Sequence, residues 1–255
     1  PQPDPRPAVL DFAAQLRERD VTLVLLPTPV KPMIHPEGFS ARFARAPGPL
    51  RNSSYDDFIR QMRAEGVRVF DPSELLWNRK AQGDQYLRTD THWTPDAMDA
   101  AAAALADFLV GEGLIERGTV AYSRETRRVT NTGDVARMLK LPAGAELFPP
   151  EEVRIRPVGE RRPTTPDADE AEPTPGVLLL GDSFSNIYSW DEMGWGASAG
   201  LAEQLAFHLR RPLRSLLRND AGAHATRAML AQRLRGGRNP LTGVKVVVWQ
   251  FADRE

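Results

Sequence analysis

Apolar positions along this chain follow two spacings, short continuous runs and helical stripes, and the way these alternate sets the architecture. Val9, Leu10, Phe12, Ala13 and Leu16 share one face of a helix that ends near Asp20. Val21 to Leu26 is then an unbroken apolar run of buried-strand character. Its exit, Pro27-Thr28-Pro29-Val30-Lys31-Pro32, reads as irregular because each proline lacks a donor and fixes φ. That loop is either a wall of a site or a stiff connector. Ser53 or Ser54 caps a helix carrying Phe58, Ile59 and Met62, which stops at Gly66. Val67 to Phe70 is a short strand and Ser73 to Asn78 a short helix.

Thr94-Pro95-Asp96 is a helix start, with a capping hydroxyl, proline in the first turn and a carboxylate at the positive end of the dipole. It opens the Ala-rich helix Ala97 to Val110. From Ile115 to Pro175 the periodicity weakens, leaving a short helix at Gly133 to Leu139 and a strand at Val153 to Ile155. Residues 162–175, rich in Pro, Asp, Glu and Thr, are expected to be a mobile loop. Alternation then resumes: strand Val177 to Leu180, helix Ala199 to Leu209, strand Leu213 to Leu217, helix Ala225 to Leu234 and strand Val244 to Trp249. This pattern predicts one α/β domain over residues 1–255, a mostly parallel sheet with helices on both faces.

Composition narrows the function. The 255 residues carry 33 basic and 34 acidic side chains, so no net field favours nucleic acid, and none is expected as a partner. There is no cysteine, which removes disulfides, thiol catalysis and thiolate metal sites. No run of about 18 apolar residues forms a membrane-spanning helix. The chain opens with Pro1 rather than Met, and residues 1–8 read as a tether to a missing upstream part. A removed signal, a membrane anchor and ordinary trimming fit that opening equally.

Two clusters carry chemistry. Leu178 to Leu180 leads into Gly181-Asp182-Ser183-Phe184-Ser185, a tight turn that exposes the Ser183 hydroxyl at the carboxyl edge of the sheet, where open α/β sheets bind ligands. Upstream, Asp90-Thr91-His92-Trp93-Thr94-Pro95 places a carboxylate and an imidazole two residues apart, on one side of an extended segment. Asp90 would orient His92, and His92 would take the serine proton. The bland alternatives are a common Gly-Asp-Ser turn and a histidine packed ahead of a helix cap. Asp-x-His also suits a metal, but no second His/Asp cluster has ligand spacing, so neither metal nor cofactor is expected. His35 sits in a proline-rich loop, His208 late on an amphipathic helix and His224 just before a helix, positions that are more often structural or solvated than catalytic.

These residues resemble the SGNH hydrolase-like domain of alginate O-acetyltransferases of the AlgJ/AlgX type. That family carries an Asp-x-His motif in a similar context, upstream of a G-x-S-x-S serine. Ordinary GDSL esterases place the serine first and use Asp-x-x-His, so the reversed motif order carries the distinction. Further similarities are the Pro-Thr-Pro-Val-Lys loop, Gly133-Asp134 and the closing Val248-Trp249-Gln250-Phe251-Ala252-Asp253-Arg254.

The resemblance implies Ser183 as nucleophile, His92 as general base and then acid, and Asp90 as the orienting carboxylate. It also implies Gly and Asn donors for the oxyanion. Without a clean Gly-x-Asn, the nearest group is Asn219 with Gly222, while Gln250 either points into the site or caps the sheet edge. Trp93, Tyr188, Trp190 and Trp195 either stack on sugar rings or pack the core. The implied activity is O-acetylation of an exported or cell-surface polysaccharide through an acetyl-serine, in the periplasm or another extracytoplasmic space. A membrane acyltransferase partner would supply the acetyl group. An acetylesterase of the same fold and a catalytically idle polysaccharide-binding or scaffold module are the competing readings.

Overall fold

The computed structural model describes residues 4–142, 147–160, 175–220 and 222–253. The chain runs α1 (Arg6–Arg17), β1 (Thr22–Thr28), α2 (Lys31–Ile34), α3 (Pro36–Phe39), α4 (Tyr55–Ala64), β2 (Arg68–Val69), α5 (Ser73–Arg79) and α6 (Pro95–Gly111). An excursion follows, with β3 (Tyr122–Arg124), β4 (Arg127–Asn131), α7 (Asp134–Met138), β5 (Glu151–Ile155) and β6 (Val158–Glu160). Then come β7 (Val177–Gly181), α8 (Ser183–Asn186), α9 (Leu201–Leu209), β8 (Arg214–Leu217), α10 (Gly222–Arg235) and β9 (Val246–Ala252). Strands pair in the order β2-β1-β9-β7-β8, all parallel. The α/β fold expected from the alternation is the one observed.

Continuous apolar runs in the strands follow from burial on both faces. Val24 and Leu26 of β1, Val177 and Leu179 of β7, and Val246 and Val248 of β9 join one core, closed by α6 and α9. The intervening Leu23, Leu25, Leu178, Leu180, Val247 and Trp249 join the other core, closed by α1, α4 and α10. Thr94 caps α6 as expected, its hydroxyl accepting from the Ala97 N–H at 3.3 Å.

Three boundaries depart from the sequence reading. β1 continues through Pro27 to Thr28, although that stretch reads as irregular. The reason lies in the neighbouring strand. The Leu25 carbonyl faces β2, accepting from Phe70 N, so Pro27, two residues on, faces the same side after β2 has ended. Its missing N–H costs no ladder bond there. Second, α1 begins at Arg6, inside the stretch read as a tether, because a proline in the first helical turn gives up a donor that would have no partner anyway. Residues 1–3 of that stretch lie outside the described residues. So does the expected mobile loop at 162–175, apart from Pro175. Third, the weakly periodic excursion holds two antiparallel ladders, β3 with β6 and β4 with β5, whose half-exposed strands carry too few apolar residues to signal themselves.

Asp253, just past β9, makes the fold sensitive to pH. Burial first, then the Asp71 carboxylate, pushes its pKa up to about 7, against the pull of Arg51. A folded-state value above the unfolded one favours the protonated fold. The contribution to stability is therefore complete below about pH 4 and lost as pH rises through about 7. Asp253→Asn should melt a few degrees above wild type at pH 8, with the gap closing toward pH 4, as read by thermal denaturation across pH. A gap independent of pH would contradict this.

Candidate active site

At the carboxyl end of β7 the chain turns sharply into α8, and Asp182 builds the turn. Its Oδ1 accepts from the Phe184 N–H at 2.8 Å, capping α8, while its Oδ2 accepts from the Ala252 N–H at 2.9 Å, tying the turn to the end of β9. Burial pushes the Asp182 pKa up, opposed in part by these hydrogen bonds. Gly181 is required by close approach: a Cβ there would lie 2.3 Å from Ser185 Oγ. Beneath the turn, Gln250 Oε1 accepts from the Asp182 N–H at 3.0 Å and from Ser185 Oγ at 2.7 Å, while its Nε2 donates to Thr28 Oγ1 at 3.1 Å. Ser183 is the first residue of α8, so its N–H has no intrahelical partner.

The segment before α6 meets this turn. His92 Nε2 lies 2.8 Å from Ser183 Oγ, and His92 Nδ1 lies 2.6 Å from Asp90 Oδ1. A carboxylate only accepts, so the proton on Nδ1 belongs to the Asp90 bond, and Nε2 is left to accept from the serine hydroxyl. Asp90 and His92 are both buried. The Asp90 carboxylate also accepts from the His92 N–H at Oδ1, and from Trp195 Nε1 at 2.9 Å and the Asp134 N–H at 3.1 Å at Oδ2. Burial works to raise its pKa, but the His92 bond and charge, helped by Trp195 and Asp134, hold the carboxyl well below the usual carboxylate range. Asp90 is therefore ionised wherever His92 acts as a base.

Several braces are visible only in three dimensions. Lys31, from the proline-rich loop, donates through Nζ to the carbonyls of Leu87 at 2.6 Å, Arg88 at 3.0 Å and Asp90 at 3.2 Å. That loop thus supports the carboxylate segment. Glu151 of β5 accepts from the Thr89 N–H at 2.9 Å and the Arg88 N–H at 3.0 Å. Asp134 Oδ1 accepts from the Thr91 N–H at 2.7 Å. Asp134 also brings a third donor group to Asp90 and His92, all within 4.8 Å, where the sequence showed no second cluster. Both Asp90 oxygens and Asp134 Oδ1 are engaged by N–H donors, which suits a proton relay rather than a cation.

Four residues read as either facing the site or packing beside it, Gln250, Trp93, Tyr188 and Trp195, all take the packing role. Gln250 is buried under the turn and holds it, so it neither lines the site nor reaches an oxyanion. Trp93 is fully buried, its indole donating to the Phe184 carbonyl at 3.0 Å, and Tyr188 is equally buried, donating to the Trp93 carbonyl at 2.6 Å. These two rings lock the His92 segment onto α8 instead of meeting substrate. Trp195 is likewise buried, against Asp90.

Asn219 is exposed and accepts from Asn186 Nδ2 at 2.8 Å, and Gly222 opens α10. Asn186 lies one turn beyond Ser183 on α8, and the Arg218 N–H donates to the Gly181 carbonyl. An open cleft of about 640 Å³ therefore borders the nucleophile turn, lined by Asn186, Trp190, Leu217, Arg218 and Asn219. Trp190 is 47 % exposed there, the most open tryptophan among the described residues.

Known proteins share this fold. Residues 2–253 match the family model described as the SGNH hydrolase-like domain of the acetyltransferase AlgX. A relative named probable alginate O-acetylase AlgJ from Azotobacter vinelandii is 30% identical over 184 residues, covering 70% of this chain and 47% of the relative. The protein of the same name from Pseudomonas putida is 28% identical over 248 residues, covering 94% of this chain and 60% of that one. The chain thus spans about half the length of these relatives. The solved O-acetyltransferase domain of Pseudomonas putida AlgJ has the same fold, with a TM-score of 0.72 at 23% identity, over 96% of this chain and 80% of that domain.

Proposed function

This chain belongs to the AlgX family of SGNH hydrolase-like acetyltransferases, and on that premise we propose that it moves acetyl groups onto hydroxyls of an exported or cell-surface polysaccharide. The observation that carries the reading is the unbroken hydrogen-bonded chain from Asp90 through His92 to Ser183. A serine hydroxyl at its ordinary pKa is a weak nucleophile, and this chain activates it.

Ser183 Oγ attacks the carbonyl carbon of an acetyl ester while His92 Nε2 takes the hydroxyl proton. The bond to the donor's oxygen breaks, and that oxygen leaves with the proton from His92. A sugar hydroxyl then gives its proton to His92 and attacks the acetyl carbonyl carbon; the bond from that carbon to Ser183 Oγ breaks, and His92 returns the proton to Ser183 Oγ. In both halves the Ser183 N–H is one donor for the oxyanion, and the Asn219 carboxamide, at the rim of the cleft, is the candidate for a second.

The acceptor chain lies in the cleft beside α8, with Trp190 as a stacking face. The acetyl donor comes from a membrane acyltransferase partner, and the reaction takes place outside the cytoplasm. Trp190→Ala should raise KM for the acceptor about five- to tenfold, the loss of one stacked aromatic contact. Initial rates against acceptor concentration check this, and an unchanged KM would move the acceptor elsewhere.

The reading is tested by a time course with para-nitrophenyl acetate, with and without alginate oligosaccharides. Acetylated oligosaccharide that forms only in the presence of enzyme supports the transferase. Acetate release that ignores the acceptor means an esterase. Neither product means a binding or scaffold module.

A further inference from the structure

We propose that Trp195 is a positioning residue of the catalytic machinery, its indole N–H fixing the Asp90 carboxylate in the orientation that His92 requires. The inference rests on the reading of Asp90, His92 and Ser183 as the catalytic triad. Asp90 accepts two donors on each oxygen. His92 supplies both at Oδ1, whereas Oδ2 is held by the Asp134 backbone N–H and by Trp195 Nε1 at 2.9 Å. Trp195 is thus the one side chain other than His92 that grips this carboxylate among the described residues. Together with the Asp134 N–H it pins Oδ2 against rotation of the carboxylate.

The local backbone is built to deliver that ring. Gly194 and Gly196 flank Trp195 with φ of +80° and +90°, conformations that favour glycine. A Cβ on Gly194 would lie 2.6 Å from Asn131 Nδ2, and one on Gly196 would lie 2.5 Å from Ile155 Cδ1. The turn is therefore pressed against the β4–β5 ladder, with no slack on either side of the tryptophan. A purely space-filling position would accept phenylalanine or leucine. What indole adds is an N–H at the far edge of a buried ring, and it meets the triad carboxylate.

The consequence is electrostatic as well as steric. A carboxylate that loses a donor becomes more basic and stabilises a protonated His92 more strongly. Other charged groups around the pair are Lys31, Asp134, Glu151 and Asp182, with Tyr188 neutral, and the substitution leaves all of them in place.

The test is the pH profile of kcat/KM for para-nitrophenyl acetate hydrolysis by Trp195→Phe, with melting temperature followed in parallel. We expect about a tenfold loss and an acid limb moved up by about half a pH unit. Trp249→Phe is the comparator: its indole donates to the Ala223 carbonyl at 3.0 Å on the other face of the sheet, so it should lose melting temperature with the limb unmoved. If Trp195→Phe does not fold, benzothienylalanine at 195 keeps the ring shape and replaces N–H with sulfur, and it should move the limb in the same way. An unmoved limb in a folded variant makes Trp195 a packing residue and overturns the proposal. Ser183→Ala separates the two failures, since full ester hydrolysis by that variant sinks the triad itself.

Discussion

Ser183→Ala and His92→Ala should each lose acetyl transfer by on the order of a thousandfold to a millionfold, with the double variant no worse than the poorer single one. The residues fail together because the bond between His92 Nε2 and Ser183 Oγ is what makes either useful. An alanine at 183 leaves no atom to carry the acetyl group. An alanine at 92 leaves a hydroxyl whose proton has no acceptor. Both folds should survive. The β7–α8 turn is held by Asp182 and Gln250, not by the Ser183 side chain, and the segment bearing His92 stays locked through Trp93 and Tyr188. Steady-state rates with matched near-ultraviolet circular dichroism check this. Additive losses in the double variant would mean that the two side chains act in separate steps.

Asp90→Asn should cost about ten thousandfold in kcat near neutral pH. The carboxylate faces four N–H donors, and an amide offers one oxygen and two hydrogens of its own. If the amide oxygen turns toward Trp195 and the Asp134 N–H, its NH2 faces His92 and moves the imidazole proton to Nε2, where it can no longer take the serine proton. If it turns the other way, two buried donors meet an NH2. The same substitution should lower stability in a pH-dependent manner. The folded-state pKa of Asp90 is depressed, so its contribution is present above the unfolded value and lost as pH falls through the folded one. Denaturation at pH 7 should separate wild type from Asp90→Asn more widely than denaturation at about pH 3. A constant separation would mean that the carboxylate is not specially stabilised in the fold.

The parallel sheet was legible because its strands are buried on both faces and so appear as bare apolar runs: Leu178 to Leu180 or Val246 to Val248 admit little else. The serine and the Asp-x-His pair were legible because their chemistry is local, a tight turn and a two-residue spacing. What surrounds them was not. Asp134, Glu151 and Trp195 come from segments 43 to 105 residues away along the chain from the groups they hold, and pairing at that distance leaves no periodic trace. The Gly-Trp-Gly pattern at 194–196 was the one available signal, two small residues permitting a buried ring.

Aromatic residues near a motif announce themselves but not their burial. Trp93, Tyr188 and Trp195 are sealed in, and Trp190 alone of that set has a free face. Gln250 was open in the same manner: a polar residue at a strand's end can face a site or hold the sheet edge, and here three hydrogen bonds consume it.

The central claim is that acetyl passes through Ser183, and the most direct measurement is the intact mass of the protein quenched in acid during turnover of para-nitrophenyl acetate. The account predicts a mass increase of one acetyl group that peptide mapping places on Ser183, that is absent from Ser183→Ala, and that disappears when an acceptor oligosaccharide is added before the quench. Equal labelling of wild type and Ser183→Ala, or turnover by wild type with no labelled serine under any quench, would contradict it.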